Sequence, residues 1–185
     1  MRLETAAKPH SQHNTNIISG YYMKYILSIL LLLTISTNTF AQEQKGDPTK
    51  SINGIVAELL DQVTIEPGEK MDTAAVRNLF YPSALLTVNN GGQAESVSLD
   101  DFLVLLKDPY YEAGYLEQEI QKTVDEFNGI AQVFQTFYGK DSEGEEEKGI
   151  NSYQLTYHEG RWWIVSLLWS VESDTAKIPA KYGGE

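Results

Sequence analysis

The second half of the chain contains successive stretches in which apolar and polar residues alternate, and this pattern constrains the fold more than any other feature. The alternation is clear at 130–138 and 162–172 but imperfect at 116–127, where helix and strand are both open by propensity and the Asn128-Gly129 that follows favours a strand. A period of two is typical of β-strands. The sequence Asn128-Gly129 separates the first two stretches and is a strong hairpin signal, and His158-Glu159-Gly160-Arg161 separates the last two. An acidic, glycine-bounded segment at 139–149 is interpreted as the middle loop. Long antiparallel strands are therefore predicted at 116–127, 130–138, 150–157 and 162–172.

The N-terminal half has the longer period of helices. Apolar residues recur on one helical face at Ile52, Ile55, Val56, Leu59, Leu60 and Val63. Thr49 or Ser51 is the predicted N-terminal cap of this helix. Asp72 or Thr73 begins a second short helix that carries Val76, Leu79 and Phe80 and is closed by Pro82.

A short hairpin and a third helix are expected next. Strands at 85–88 and 95–97 flank Asn89-Asn90-Gly91-Gly92, and Ser98 with Asp101 resembles a capping box. Helices that come first and strands that come last indicate an α+β fold, with the helices on one face of a sheet.

Residues 23–41 are interpreted as a secretory signal peptide, cleaved after Ala41. A basic start, the apolar run at 25–35 and a small residue before Gln42 support this interpretation. The alternative is an uncleaved anchor, but the run is shorter than the roughly 20 residues of a spanning helix. Residues 1–22 are then an extension before the true start at Met23. The product is expected to be exported, periplasmic or secreted, and free of the membrane after cleavage.

Composition restricts the chemistry of the remaining chain. Lys+Arg 14 against Asp+Glu 26 leaves a net charge of -12, which argues against nucleic acid as a partner. The chain contains Cys 0, so disulfides, thiolate metal sites and a cysteine nucleophile are excluded. His158, the one histidine after Ala41, is expected at an exposed turn. No metal, cofactor or catalytic motif is predicted, which weighs against an enzyme.

Several local sequences over 51–173 resemble the nuclear transport factor 2-like (SnoaL-like) superfamily. They are the stretch 72–84 (DTAAVRNLFYPSA), the strand residues 130–133, and above all GINSY at 149–153 followed by GRWWIV at 160–165 and Trp169. The resemblance implies a cone-shaped, strongly curved antiparallel sheet wrapped around the N-terminal helices, in a secreted bacterial member. Residues 42–50 are expected to be a flexible leader, and 174–185 a loose polar tail.

The resemblance also implies that relatives dimerise through the outer sheet face. In the last strand, alternation predicts Trp162, Ile164, Ser166, Leu168 and Ser170 toward the cone. The opposite face is too apolar for water and is the predicted homodimer interface: Trp163, Val165, Leu167, Trp169 and Val171. The alternative is an intramolecular cover, such as the C-terminal tail.

Aromatic residues are the candidates for a ligand pocket in the cone, with core filling as the alternative. The aromatic candidates are Tyr81, Tyr110, Tyr111, Tyr115, Phe127, Phe134 and Tyr153, and Ser166 is added for its hydroxyl group. Asp61, Glu119 and Tyr153 are weak catalytic candidates, whereas Asp72 is better explained as a helix cap.

The favoured function is binding of a small apolar or aromatic molecule without chemical change. The alternatives are a lyase or isomerase that uses a pocket carboxylate and a tyrosine, and an association domain with a filled pocket. A buried carboxyl of raised pKa beside a tyrosine would favour catalysis. An uncharged aromatic cavity would favour binding, and a cone plugged by rings would favour association.

Overall fold

The computed structural model describes residues 46–107 and 113–184. Its helices are α1 (Ile52–Val63), α2 (Thr73–Arg77) and α3 (Leu99–Leu105), with short 3-10 turns at Pro48–Lys50 and Ala180–Tyr182. Its strands are β1 (Phe80–Asn90), β2 (Gln93–Ser98), β3 (Tyr115–Phe127), β4 (Ile130–Asp141), β5 (Glu146–His158) and β6 (Arg161–Val171). None of the helices in the described ranges is both long and apolar enough to cross a membrane.

The six strands form one open sheet in the order β2-β1-β6-β5-β4-β3. All neighbours are antiparallel except β1 and β6, which pair in parallel. The predicted α+β class is confirmed. The expected all-antiparallel sheet is wrong at this one pair. Strands β1 and β6 are not joined by a tight turn, and the long connection through β2, α3 and β3–β5 lets them run in the same direction.

Both predicted tight hairpins are present. Asn128 and Gly129 have φ of 46° and 81°, and Glu159 and Gly160 have φ of 52° and 78°. Two successive positive φ values match the right-handed twist of the flanking strands. The predicted acidic loop at 139–149 is shorter in the structure, because β4 extends to Asp141 and β5 begins at Glu146.

Helix α1 lies on the inner face of the sheet and supplies much of the core. The Ser51 side chain accepts a hydrogen bond from the Gly54 amide at 2.9 Å and caps the helix, as one of the two predicted caps. Ile55 and Val56 are fully buried against the sheet. The helical face read from the sequence is therefore the face that packs.

The second helix is shorter than predicted. It ends at Arg77, and Phe80 begins β1 and is buried. Pro82 lies inside β1, where the β1/β6 pairing shifts register between Phe80 and Leu85. An irregular stretch of strand tolerates proline because no ladder hydrogen bond requires its missing N–H. Pro82 was therefore wrongly interpreted as the end of a helix.

A β-bulge at Val165 changes which side chains of β6 face the core. Ile164 pairs with Leu155 and Ser166 pairs with Gln154, so Val165 has no partner on β5. An extra residue reverses the alternation beyond it. Leu167 is therefore buried and Trp169 packs against the core, whereas Leu168 is 44% exposed. Strict alternation predicts that Leu167 and Trp169 point outward and that Ser166 and Leu168 point inward. Both predictions are wrong.

The segments at both limits of the described residues contact the sheet. Ile178 is buried, and the Tyr182 ring lies 4.7 Å from the Phe134 ring on the outer sheet face. The Thr136 hydroxyl donates to the Tyr182 carbonyl at 2.6 Å. At the other end, the Lys50 ammonium donates to the Gly160 carbonyl at 3.0 Å. The tail therefore covers part of the outer face, which is the intramolecular alternative left open by the sequence.

Candidate functional site

A cavity of about 100 Å³ lies between α1, α3 and the inner face of the sheet. Eight of its thirteen described lining residues are apolar: Leu59, Leu60, Val63, Phe102, Leu106, Phe137, Leu167 and Trp169. Its polar residues come from two strands, with Tyr115 and Glu117 on β3 and Glu147, Asn151 and Tyr153 on β5. The cavity combines an apolar wall with a small polar group, which is typical of small-molecule sites.

Glycine residues make room for the polar side of the cavity. Strand β4 lies between β3 and β5, and Gly139 of β4 pairs with both Glu117 and Glu147. A Cβ on Gly139 would lie 2.7 Å from the Tyr115 hydroxyl and 3.1 Å from Glu147 Cγ. The missing side chain therefore lets Tyr115 and Glu147 meet above β4, where the tyrosine hydroxyl donates to Glu147 Oε1 at 3.3 Å.

Glu117 is held by buried amides. Asn151 Nδ2 donates to Glu117 Oε1 at 2.8 Å and lies 3.4 Å from Gln135 Oε1. The Tyr153 hydroxyl donates to the same Gln135 oxygen at 3.0 Å. Gln135 is fully buried, and Asn151 and Tyr153 are nearly so. A buried network of this kind is stable only when its members are satisfied, so it fixes the Glu117 side chain.

A second carboxylate anchors the far end of this network. Gln135 Nε2 donates to Glu119 Oε2 at 2.8 Å, and the Lys122 ammonium lies 2.6 Å from Glu119 Oε1. Because the Lys122–Glu119 pair orients the Gln135 amide, the amide oxygen is directed toward Tyr153 and Asn151. Glu119 therefore supports the site without lining the cavity.

Burial in the apolar cavity raises the pKa of Glu117 from 4.5 to about 7. The hydrogen bond from Asn151 lowers the pKa and the nearby Glu147 raises it, so removal from water is the largest cause. Burial also raises the pKa of Tyr153 well above its ordinary value. Near neutral pH Glu117 is present in both protonation states and can donate or accept a proton.

Two of the eight predicted pocket residues line this cavity, namely Tyr115 and Tyr153. Phe134 lies on the outer face under Tyr182, and Phe127 is 77% exposed beside the hairpin turn. Tyr81 contacts the rings of His158 and Trp163 near the β5–β6 turn, and Ser166 lies beyond the bulge. Tyr110 and Tyr111 lie outside the described residues.

The weak catalytic candidates are separated by the structure. Asp61 lies on α1 and is exposed, away from the cavity. The Asp72 side chain accepts from the Ala74 and Ala75 amides at 3.0 Å, so its interpretation as a helix cap is confirmed. Tyr153 is the one catalytic candidate that reaches the cavity wall. Within 46–107 and 113–184, no three acidic or histidine side chains come close enough to hold a metal ion.

Sequence analysis missed Glu117, Gln135 and Asn151. A signal for two of them was present: Gln135 follows Ala131 and Val133 on the inward alternation of β4, and Asn151 precedes Tyr153 on β5. A polar residue at an inward position of a strand requires a partner inside the fold. Glu117 carried a weaker signal because β3 is polar on both faces.

The fold is a mixed sheet with helices on one face and a cavity between the sheet and the helices. Comparison with known proteins shows which other proteins share this arrangement. No protein-family model and no curated protein matches the chain. Solved structures do match. An NTF2-like protein of unknown function from Pseudomonas putida KT2440 has a TM-score of 0.54 and 10% identity, over 71% of this chain and 92% of that one.

Two further structures agree. A Caulobacter vibrioides protein with a cystatin-like fold has a TM-score of 0.54 and 12% identity, over 71% of this chain and 94% of that one. A Shewanella frigidimarina NCIMB 400 protein, provisionally described as a ketosteroid isomerase, has a TM-score of 0.50 and 16% identity, over 68% and 96%. The chain therefore has the NTF2-like fold, and the predicted resemblance is confirmed at that level. Identities this low carry no function across.

Proposed function

We propose that the cavity is an acid–base site in which Glu117 moves a proton on a small, largely apolar substrate, as in an isomerase or lyase. The observation that carries the proposal is the position of the Glu117 carboxyl in an apolar cavity, where burial raises its pKa to about 7. A general acid or base works best when its pKa lies near the working pH. An uncharged aromatic cavity would favour simple binding, whereas this cavity contains the carboxyl group of Glu117.

The neighbouring groups give Glu117 a defined geometry. Asn151 donates to Oε1 at 2.8 Å, so the carboxyl group is held against the cavity wall. Tyr153 lines the same cavity, and burial keeps its hydroxyl protonated because its pKa is raised well above the ordinary value. In this arrangement the ionised carboxyl accepts a proton from substrate and returns it at another atom.

Binding without chemical change is the second candidate, favoured by a separate observation. Asn151 and Tyr153 both donate to Gln135, and the described residues hold no buried side-chain nitrogen or oxygen without a partner. Within the described residues, no buried side-chain donor is thus left over to stabilise negative charge on a reacting carbonyl. If the cavity binds its ligand unchanged, Glu117 recognises a polar group and transfers no proton.

Exchange of acidic carbon-bound protons for deuterium separates the two candidates. The probes are small unsaturated ketones of about six heavy atoms, a size limited by the cavity, followed by proton NMR in D₂O. The intact chain is expected to accelerate exchange about 100-fold over Glu117→Gln, with a rate that rises with pH around 7. Glu95→Gln, on exposed β2, is the matched control. Equal rates for the intact chain and Glu117→Gln would contradict catalysis.

A further inference from the structure

Charge on the cavity wall is entirely of one sign. Glu117 and Glu147 both line the cavity, and no Lys, Arg or His is found among its described lining residues. We infer that the cavity selects a small organic cation, an amine with a compact apolar body. This inference names the substrate class of the proposed site and therefore rests on the proposed function.

The two carboxyl groups lie at different depths. Glu147 is exposed and joined to the half-buried Tyr115, so the pair marks the solvent end of the cavity. Glu117 is half-buried, and its partner Asn151 is buried. An ammonium group that enters past Glu147 meets Glu117 next, and each carboxylate stabilises it because an opposite charge is attracted most strongly where water is displaced.

Aromatic rings complete the environment of a cation. Five of the lining residues are aromatic: Tyr115, Phe137, Tyr153 and Trp169 on the sheet, and Phe102 on α3. The faces of such rings carry partial negative charge and attract ammonium groups. The same rings and the leucine side chains of α1 receive the apolar body of the ligand, which a hydrated inorganic ion lacks.

Size and charge exclude other ligands. A cavity of about 100 Å³ is smaller than the ~150 Å³ cavity that accommodates benzene, so the apolar body is limited to about five carbon atoms. Anions are repelled by Glu147 and by a chain of net charge -12. A metal ion finds no group of three acidic or histidine ligands in the described part of the chain.

Three probes of similar size and the same branched chain test the inference: isopentylamine, isopentanol and 3-methylbutanoate, each titrated into the full chain at pH 8 and followed by NMR. The amine is expected to bind at least about tenfold more tightly than the alcohol, and the acid more weakly than either. Glu117→Gln removes most of the preference for the amine over the alcohol. Glu147→Gln, at the exposed end, causes a smaller loss, and Glu95→Gln causes none.

Protonation of Glu117 supplies a second measurement on the unmodified chain. Its charged and titratable neighbours are Glu147 and Tyr153 from β5 and Tyr115 from β3, with the Lys122–Glu119 pair behind Gln135. Because the carboxyl has a pKa of about 7 and only its ionised form attracts the amine, affinity for the amine falls about tenfold from pH 8 to pH 6. Affinity for the alcohol changes little.

The inference is overturned if the alcohol or the acid matches the amine, if the amine does not bind, or if Glu117→Gln keeps the preference. A further outcome would also overturn the inference: CaCl₂ displaces the amine, and Glu117→Gln loses affinity for calcium as much as for the amine. That outcome would show a site for inorganic cations. The proposed function fails separately. Amine selectivity without deuterium exchange leaves a cation-binding cavity, whereas exchange on neutral ketones without amine selectivity leaves an enzyme of another substrate class.

Discussion

Glu117 is the residue around which the cavity is organised. A carboxyl group removed from water is costly to ionise, and the hydrogen bonds with Asn151 and Tyr115 offset only part of this cost. The pKa of Glu117 is therefore raised, and the described lining of the cavity contains no lysine or arginine that would stabilise the ionised carboxylate. Glu119, two residues further along β3, has Lys122 as its partner. Two glutamates on one strand thus serve different purposes because their neighbours differ.

The pH dependence of stability reports the Glu117 pKa without a substrate. The folded state keeps a proton that the unfolded chain loses near 4.5, so stability falls as pH rises from 4.5 to about 7 and the loss is complete above 7. Glu117→Gln lacks this loss. Its free energy of unfolding relative to the parent is expected to increase by about 3 kcal/mol between pH 4.5 and pH 8.

Urea unfolding at a series of pH values measures this difference. Glu95→Gln removes an exposed carboxyl on β2 and is the control, for which the difference from the parent stays flat. A flat difference for Glu117→Gln would mean that Glu117 ionises in the folded state as it does in the unfolded chain.

At the level of elements, the bulge at Val165 determines what β6 contributes to the site. Before the bulge Trp162 and Ile164 are buried, and after it Leu167 is buried and Trp169 reaches the cavity. If Val165 were instead paired in a regular strand, strict alternation would direct Leu167 and Trp169 outward and leave the cavity without one of its walls. The bulge therefore converts an apparent outer apolar stripe into a core and cavity wall.

Two deletions in β6 test the assignment of the bulge. Deletion of Val165 removes the unpaired residue and leaves Ile164 and Leu167 directed inward in a regular strand, so the free energy of unfolding is expected to fall by about 1 kcal/mol or less. Deletion of Leu168, which is paired with Ser152, turns Trp169 outward and is expected to cost at least about 3 kcal/mol. Urea midpoints measure both variants, and an equal or larger loss for the Val165 deletion would contradict the assignment.

For the whole molecule, the tail limits where a second copy could bind. The segment around Ile178 and Tyr182 lies over the β4 side of the outer face, on Phe134 and Thr136. Leu85 on β1 and Leu168 on β6 remain 50% and 44% exposed. The homodimer stays a prediction. A second copy could bind only to the half of the outer sheet face formed by β1 and β6, which includes Trp163 and Val165.

Light scattering on Leu168→Glu tests the dimer. If the β1–β6 half of the face is the interface, the parent chain has the mass of a dimer and Leu168→Glu that of a monomer, because a charge there is removed from water on association. Leu105→Glu, on α3 and 53% exposed, is the control and keeps the parent's mass. A monomeric parent chain at all concentrations would contradict the prediction.

Local features of this protein were predictable from sequence because they depend on residues close together in the chain. The α1 face, the Ser51 and Ser98 caps and the two tight hairpins follow from periodicity and turn chemistry, and each is present in the structure. The α+β class follows from their order. Of the cavity, only Tyr115 and Tyr153 were predicted, since aromatic residues are conspicuous in a strand.

Tertiary structure decided the rest. The parallel pairing of β1 with β6, the bulge at Val165 and the packing of Tyr182 on Phe134 depend on residues far apart in sequence. Glu117, Gln135 and Asn151 come from three strands and meet only when those strands pair. The pKa of Glu117 is likewise a property of its cavity and not of its sequence neighbours. The sequence by itself therefore determined the elements and their turns, whereas the long-range packing of those elements determined the site.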